Sequence, residues 1–237
     1  MVKVVAHRGF SGRYPENTAV AFREALALDV DRVEFDVHLC RDGVPVVMHD
    51  ATVDRTSNGS GRIGQMTLTE IKALDVGGWC DKRFEGERVL TLDEALDLLA
   101  HKVRLNVHVK AGDEDRAEVI PMTVTALAER DLLETAFIAS DQASVMLAKD
   151  VLPELAVCNL STKPKETYIG RSLSFGCEIL QPGHAQVDAE FVQEAHRHSL
   201  EVNPFYADDE AEMRRLIACG VDGILTNYPD RLLALRA

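Results

Sequence analysis

The sequence has few cysteines, and they are far apart. Five occur in 237 residues without any CxxC spacing: Cys40, Cys80, Cys158, Cys177 and Cys219. An odd number of scattered cysteines indicates neither a disulfide framework nor a thiolate zinc site. We therefore expect a protein of a reducing compartment and assign it to the cytoplasm.

Cationic residues and long apolar runs are also scarce. The chain has 26 Lys and Arg against 39 Asp and Glu, a formal net charge of -13. Nucleic acid and anionic membrane surfaces both require a basic footprint, so neither is an expected partner. No apolar stretch approaches the ~18 residues of a membrane span, and the N-terminal "MVKVVAHRG" has no signal-peptide core. An anionic substrate would need a local cluster of cations.

What the sequence does have is a regular alternation of strands and helices. Eight short β-type runs lie at 3–7, 31–37, 103–109, 135–139, 155–160, 177–181, 200–205 and 222–226. Amphipathic stretches separate many of them, and Thr67 and Thr91 each begin a capping-box pattern. This alternation predicts a (β/α)8 TIM barrel, and we expect one domain over residues 1–237 because this length suits a single barrel.

One further strand-like run, at 44–50, breaks the alternation. It follows the second strand after only "CRDG", a connection too short to reach a parallel neighbour. Asp42 and Gly43 therefore predict a hairpin turn, and the return arm should bring His49 and Asp50 back toward the barrel. The turn-rich residues that follow predict a small insertion at the rim, at about 51–90.

Polar residues share faces of two predicted strands. Residues two apart along a strand face the same side, so Glu34 and Asp36 point together, as do His108 and Lys110. Two buried carboxylates side by side need a proton or a cation, and carboxylate oxygens suit hard divalent metals. A buried ion-pair network with Lys110 or Arg8 is the alternative explanation.

Two histidines lie at strand ends. His7 ends the first strand, and His49 ends the return arm of the hairpin. Imidazole titrates near neutral pH, so a pair flanking one site can act as general base and general acid. The other candidates also lie near the carboxyl ends of strands, where barrel active sites are built. Asn17 or Thr18 can cap the helix that follows the first strand, and a helix N-terminus on this rim suits a phosphate.

In their order and spacing, the motifs resemble the glycerophosphodiester phosphodiesterase family nearly from end to end. The matching stretches are "AHRG", "PENT", "EFDVHLCRDGVPVVMHD", "DRTSNGSG", "LTLDEAL", "LNVHVK" and "GVDGILTNYPD". The resemblance implies a TIM barrel that hydrolyses a glycerophosphodiester to sn-glycerol 3-phosphate and an alcohol. The roles it implies are a catalytic pair, His7 and His49; metal ligands, Glu34 and Asp36; and phosphate contacts, Arg8 and Lys110.

The sequence departs from the family pattern at positions that bear on the site. His108 stands where relatives usually have a metal-ligating Glu. The family implies Mg²⁺ or Ca²⁺, but an uncharged imidazole as third ligand should weaken binding of hard cations and favour Mn²⁺, Co²⁺ or Zn²⁺. Phe205 stands where a Trp is typical and is a candidate substrate contact. Asp208 and Asn227 stand where the family often has Asn and Asp.

Two other functions stay open on the sequence alone. A related barrel would cleave lysophospholipid or sugar phosphodiesters instead, with the insertion at 51–90 setting its specificity. A non-catalytic barrel would only bind a phosphate ligand, although binding alone would not require both His7 and His49. As a working hypothesis we assign His49 as the general acid and His7 as the base. The sequence does not indicate an oligomeric state.

Overall fold

In the computed structural model, which describes residues 1–236, all eight predicted runs form strands. The barrel strands are β1 Lys3–His7, β2 Arg32–Leu39, β4 Arg104–Val109, β5 Ala136–Ser140, β6 Val157–Asn159, β7 Ile179–Leu180, β8 Glu201–Val202 and β9 Gly223–Thr226. The ninth strand, β3 Pro45–Val47, pairs antiparallel with β2, which confirms the predicted hairpin.

The eight barrel strands are parallel and nearly close on themselves. Their order is β9, β1, β2, β4, β5, β6, β7, β8. Within the described residues no ladder joins β8 to β9, and single hydrogen bonds bridge the gap. The Asp222 N–H donates to the Val202 carbonyl at 3.0 Å, and the Leu225 N–H donates to the Pro204 carbonyl at 3.0 Å. The predicted TIM barrel is confirmed.

Helices cover the outside of the barrel. They are α1 Ala19–Ala27, α2 Leu68–Ala73, α3 Leu92–Leu99, α4 Arg116–Ala128, α5 Gln142–Val151, α6 Lys165–Ser174, α7 Ala189–Arg197, α8 Glu210–Cys219 and α9 Pro229–Arg236. Both predicted capping boxes form, at Thr67 and Thr91. Each threonine side chain accepts from the backbone N–H of the glutamate three residues later, and that glutamate's carboxylate accepts from the threonine backbone N–H. None of the helices within residues 1–236 has both the length and the apolar character needed to cross a bilayer.

Residues 51–90 form an irregular segment on the hairpin. The segment contains α2 and two short 3-10 turns, Ile63–Gln65 and Lys82–Phe84. Its apolar side chains pack with those of the hairpin in a cluster apart from the main barrel core: Cys40, Val46, Met48, Val53, Ile63, Ile71, Leu74, Val76 and Val89. Because β3 takes part in this cluster, the segment is anchored next to the strand that leads to His49.

A buried arginine forms an ion pair between strands at the end of the barrel where the strands begin. Arg32, at the start of β2, is only 2% exposed, and its guanidinium lies 2.7 Å from a carboxylate oxygen of Glu201 on β8. Lys3 Nζ lies 3.0 Å from the same oxygen. Burial opposes ionisation of Glu201, but the hydrogen bond and charge of Arg32 outweigh it and lower the pKa of Glu201 to about 2. The ion pairs therefore tie β1 and β2 to β8 across the gap.

We expect Glu201 to stabilise the fold above its unfolded-state pKa of 4.5 and to lose this contribution as the pH falls toward 2, because its folded-state pKa is depressed. Glu201→Gln should lower the free energy of unfolding at pH 7 by about 2 kcal/mol, allowing for screening of a partly exposed carboxylate. Urea unfolding at pH 7 and at about pH 3 measures the effect, which should shrink at the lower pH. The exposed Glu154→Gln is the matched control. Equal stability of Glu201→Gln and the control at pH 7 would contradict the assignment.

Candidate active site

The carboxyl ends of the strands bring all the predicted site residues to one cavity. It has a volume of about 170 Å³ and is lined by His7, Arg8, Glu34, Asp36, His49, His108, Lys110, Leu160, Gln181, Phe205, Tyr206 and Leu225. Eight of these twelve residues were predicted from sequence, and four were not: Leu160, Gln181, Tyr206 and Leu225. A cavity of this size suits a small polar ligand.

Strand register determines which residues of the neighbouring strands lie beside the two carboxylates. Glu34 lies opposite His7 of β1, and Asp36 lies opposite His108 of β4. The two-residue period of β2 turns both carboxylates into the barrel, where they are buried. Each carboxylate therefore has an imidazole-bearing residue beside it on a neighbouring strand.

The chain turns sharply after His7. Arg8 and Gly9 both adopt left-handed backbone conformations, with φ of 58° and 76°. A Cβ at Gly9 would lie 2.8 Å from the Ala21 backbone, so only glycine fits this turn. The turn directs the Arg8 backbone N–H to Glu34 Oε2 at 2.9 Å and brings Arg8 Nε to 3.5 Å from Asp36.

Glu34, Asp36 and His108 lie close enough together to ligate one divalent cation. Their ligand atoms all lie within 4.8 Å of one another. His108 Nδ1 lies 3.0 Å from Asp36 Oδ1 and 4.0 Å from Glu34 Oε1. Asp36 Oδ1 is buried and accepts no hydrogen bond of good geometry. Two carboxylates and an imidazole are donors that a divalent metal accepts, so the residues present fit a bound cation.

Asn17 supports the carboxylate cluster from the rim. Thr18 caps α1, accepting from the Ala21 N–H at 3.4 Å, so of the two predicted capping residues it is Thr18 that does so. Asn17 instead adopts a left-handed φ of 59° and donates from Nδ2 to Asp36 Oδ2 at 3.0 Å. This contact was not predicted from sequence, although Asn17 belongs to the "PENT" motif.

Without a bound cation, the two carboxyl groups together carry one proton at neutral pH. Burial and the neighbouring charge of Asp36 raise the pKa of Glu34 to about 8. Burial also opposes ionisation of Asp36, but the close approach of His108, at 3.0 Å, and then of Lys110 holds its pKa well below the usual range. At neutral pH Glu34 is therefore protonated and Asp36 is charged.

His7 is buried in the neutral form. Burial, and then the charge of Arg8, lower its pKa to about 4. Its Nδ1 lies 2.7 Å from Asn227 Oδ1, and the Asn227 Nδ2 donates to Asp208 Oδ2 at 2.7 Å. With its amide oxygen facing His7, Asn227 accepts the Nδ1 proton. The Nε2 lone pair of His7 is thus available to a ligand.

His49 has a different partner. Its Nδ1 lies 2.5 Å from Asp50 Oδ1, and Asp50 accepts a second bond from Arg55 Nε at 2.6 Å. Arg55 also donates to both oxygens of Glu16, at 2.9 and 2.7 Å, and Glu16 accepts from Arg8 at 3.0 Å. The hydrogen bond from Arg55, with that from His49, lowers the pKa of Asp50 to about 2. A continuous chain of hydrogen bonds through Asp50, Arg55 and Glu16 therefore joins His49 to Arg8.

Two aromatic side chains form the outer wall of the cavity. Phe205, predicted as a substrate contact, is 37% exposed, and Tyr206 is 46% exposed. The Tyr206 ring stacks on His7 with a centroid distance of 5.2 Å. Only Phe205 was predicted from sequence, because the stacking of Tyr206 on His7 joins residues far apart in the chain and has no signal in sequence spacing.

Comparison with known proteins identifies relatives that share the whole fold. Residues 7–231 match the glycerophosphoryl diester phosphodiesterase family. A glycerophosphodiester phosphodiesterase of Caldanaerobacter subterraneus subsp. tengcongensis is 36% identical over 98% of this chain and 96% of its own length.

Solved structures agree with the sequence relatives. A phosphodiesterase of Oleispira antarctica, in complex with the product sn-glycerol-3-phosphate, superposes with a TM-score of 0.93 at 29% identity, covering 99% of this chain and 97% of its own. A glycerophosphodiester phosphodiesterase of Agrobacterium tumefaciens superposes with a TM-score of 0.88 at 29% identity, covering 99% of this chain and 100% of its own. The similarity therefore extends over the barrel and the 51–90 segment together.

Cation binding should release a proton from Glu34. Because the pKa of Glu34 is about 8 without a cation, we expect the affinity for Mn²⁺ to rise about tenfold per pH unit from about pH 6 to 8 and then level off. Titration calorimetry at pH 7, in two buffers with different ionisation enthalpies, should give about one proton released per ion. Glu34→Gln should bind Mn²⁺ weakly and release none. An affinity independent of pH would contradict the assignment.

Proposed function

The chain belongs to the glycerophosphoryl diester phosphodiesterase family, and from that premise we propose that this enzyme cleaves a glycerophosphodiester to sn-glycerol 3-phosphate and an alcohol with the residues of its strand-end cavity. The observation that carries the proposal is that two histidines, a cluster of carboxylates and imidazole, and the cations Arg8 and Lys110 line one small cavity. Each supplies a different requirement of phosphodiester cleavage.

Arg8 and Lys110 are the proposed phosphate contacts. Lys110 Nζ lies 3.2 Å from Asp36 Oδ1, and Arg8 Nε lies 3.5 Å from Asp36 Oδ2. Both cations line the cavity of a chain whose net charge is -13. They provide the local positive charge that a phosphodiester needs to enter an acidic protein.

Glu34, Asp36 and His108 are the residues that would hold a divalent cation. Bound there, a cation would neutralise the phosphate oxygens and lower the pKa of the attacking hydroxyl. Loss of hydration lowers the pKa of the half-buried His108, so it enters the ligand set as a neutral imidazole. With one negative charge fewer than a Glu would give, the set should prefer Mn²⁺, Co²⁺ or Zn²⁺ to the Mg²⁺ or Ca²⁺ expected from the family.

The two histidines are proposed as a base and an acid. His7 is neutral, with Nε2 free, and can take the proton of the attacking hydroxyl. His49 lies against Asp50, whose negative charge can compensate an imidazolium, and can give a proton to the leaving alkoxide. Asp50 also fixes the His49 ring by holding its Nδ1, which leaves Nε2 for the substrate.

The proposed location is the cytoplasm. All five cysteines are free thiols, three of them buried, as expected in a reducing compartment. The proposed partner is a small phosphodiester rather than a nucleic acid or a membrane, because the surface charge is acidic.

The function is tested with chelator-stripped protein. Release of glycerol 3-phosphate from glycerophosphocholine should be restored by Mn²⁺, Co²⁺ or Zn²⁺ at lower concentrations than by Mg²⁺ or Ca²⁺. His108→Glu should reverse this order, because it restores a carboxylate ligand. Lysophosphatidylcholine and a sugar phosphodiester serve as competing substrates. Absence of glycerol 3-phosphate release by wild type with glycerophosphocholine and every metal would overturn the proposal. Faster turnover of a competing substrate would reassign the alcohol group.

The histidine roles are tested by substitution. His7→Ala and His49→Ala should each lower kcat at least 10²-fold while the fold is retained, because each removes a proton-transfer group. Circular dichroism monitors the fold, and His198→Ala, at an exposed position, is the matched control. Near-normal turnover in both site variants would show that neither histidine transfers a proton in the reaction.

A further inference from the structure

Gln181 is a polar side chain of the cavity to which the reaction steps above give no role. It follows directly after β7, lines the cavity, and is 2% exposed. Its side-chain Nε2 is buried and has no hydrogen-bond partner. A buried amide N–H without a partner costs free energy, so such a group is tolerated where a ligand supplies the missing acceptor.

The cavity distinguishes Gln181 from other buried amides. Within residues 1–236, Asn106, Asn159 and Asn203 also have side-chain polar atoms that are buried without partners. None of these three lines the cavity, whereas Gln181 does. Gln181 is therefore the one of these four amides that a ligand in the cavity can reach.

The backbone at Gln181 is held in place. Its N–H donates to the Tyr168 hydroxyl at 3.1 Å, and that hydroxyl donates to the Asn159 carbonyl at 2.7 Å. Tyr168 is fully buried, so these bonds are shielded from water. The amide of Gln181 is thus presented to the cavity from a rigid support.

Barrel geometry places Gln181 opposite the carboxylates. In the order of eight strands, β7 lies four strands from β2 in either direction. The wall at β7 carries no charge of its own, because its other members are Leu160, Phe205 and Leu225. A phosphate bound by the cations near Asp36 would therefore direct the rest of its molecule toward an uncharged wall with one amide.

We propose that Gln181 binds a hydroxyl group of the glycerol moiety and so selects glycerophosphodiesters, an assignment that rests on the function proposed above. A primary amide has an NH2 group that donates and, beside it, a carbonyl oxygen that accepts. It can therefore make both kinds of hydrogen bond with an alcohol hydroxyl, which itself donates and accepts. Gln181 lies deep in the cavity, whereas Phe205 and Tyr206 form its exposed rim. The glycerol, common to all these substrates, thus occupies the inner part, and the variable alcohol leaves past the aromatic rim.

Binding measurements test the proposal without catalysis. In the presence of Mn²⁺, wild type should bind sn-glycerol 3-phosphate about tenfold to a hundredfold more tightly than its 2-deoxy analogue, 3-hydroxypropyl phosphate, or the analogue lacking the terminal hydroxyl. Gln181→Met keeps the volume but removes the amide. The variant should bind sn-glycerol 3-phosphate no more tightly than the analogue that lacks the hydroxyl contacted by Gln181. Its affinity for inorganic phosphate should equal that of wild type.

Two outcomes would overturn the assignment. One is a Gln181→Met protein that weakens sn-glycerol 3-phosphate and both analogues equally, which indicates a structural role. The other is a wild type that binds both analogues as tightly as sn-glycerol 3-phosphate, a result that needs no variant and so holds even if Gln181→Met fails to fold. Failure of the proposed function is distinguishable, because it would appear as no turnover in wild type whatever its binding preference.

Discussion

The architecture of the site follows from two carboxylates buried next to each other on β2. Glu34 and Asp36 cannot both be charged in isolation at this depth, and their pKa values move in opposite directions as a result. Four neighbouring side chains compensate the charge of Asp36, namely Arg8, Asn17, His108 and Lys110, and the Arg8 backbone N–H donates to Glu34. Of these groups, Arg8, His108 and Lys110 also line the cavity, where an anionic ligand can contact them.

The 51–90 segment is joined to the site by charge as well as by packing. Arg55 lies in that segment and contacts both Asp50, beside His49, and Glu16, beside Arg8. The apolar cluster shared with the hairpin holds the segment against β3. Through Asp50 and Glu16, the segment thus holds the hydrogen-bond partners of one imidazole and one guanidinium of the cavity, His49 and Arg8.

Local patterns in the sequence were enough to predict the barrel and most of its site. The alternation of strands and helices gave all eight parallel strands, and the two-residue period gave the common face of Glu34 and Asp36. The contacts that sequence could not give join distant residues. Asn227 is 220 positions from His7, and Arg55 is 39 positions from Glu16. Spacing along the chain carries no information about such pairs, because tertiary packing creates them.

The departures at Asp208 and Asn227 are best understood as one exchange. The two side chains contact each other directly, so an amide and a carboxylate are still paired, but it is the amide that faces His7. A carboxylate at that position would give His7 the same kind of partner that Asp50 gives His49. With an amide there instead, and with burial lowering its pKa to about 4, His7 stays neutral. The two imidazoles thus have chemically different partners, an amide for His7 and a carboxylate for His49, as their proposed roles of base and acid require.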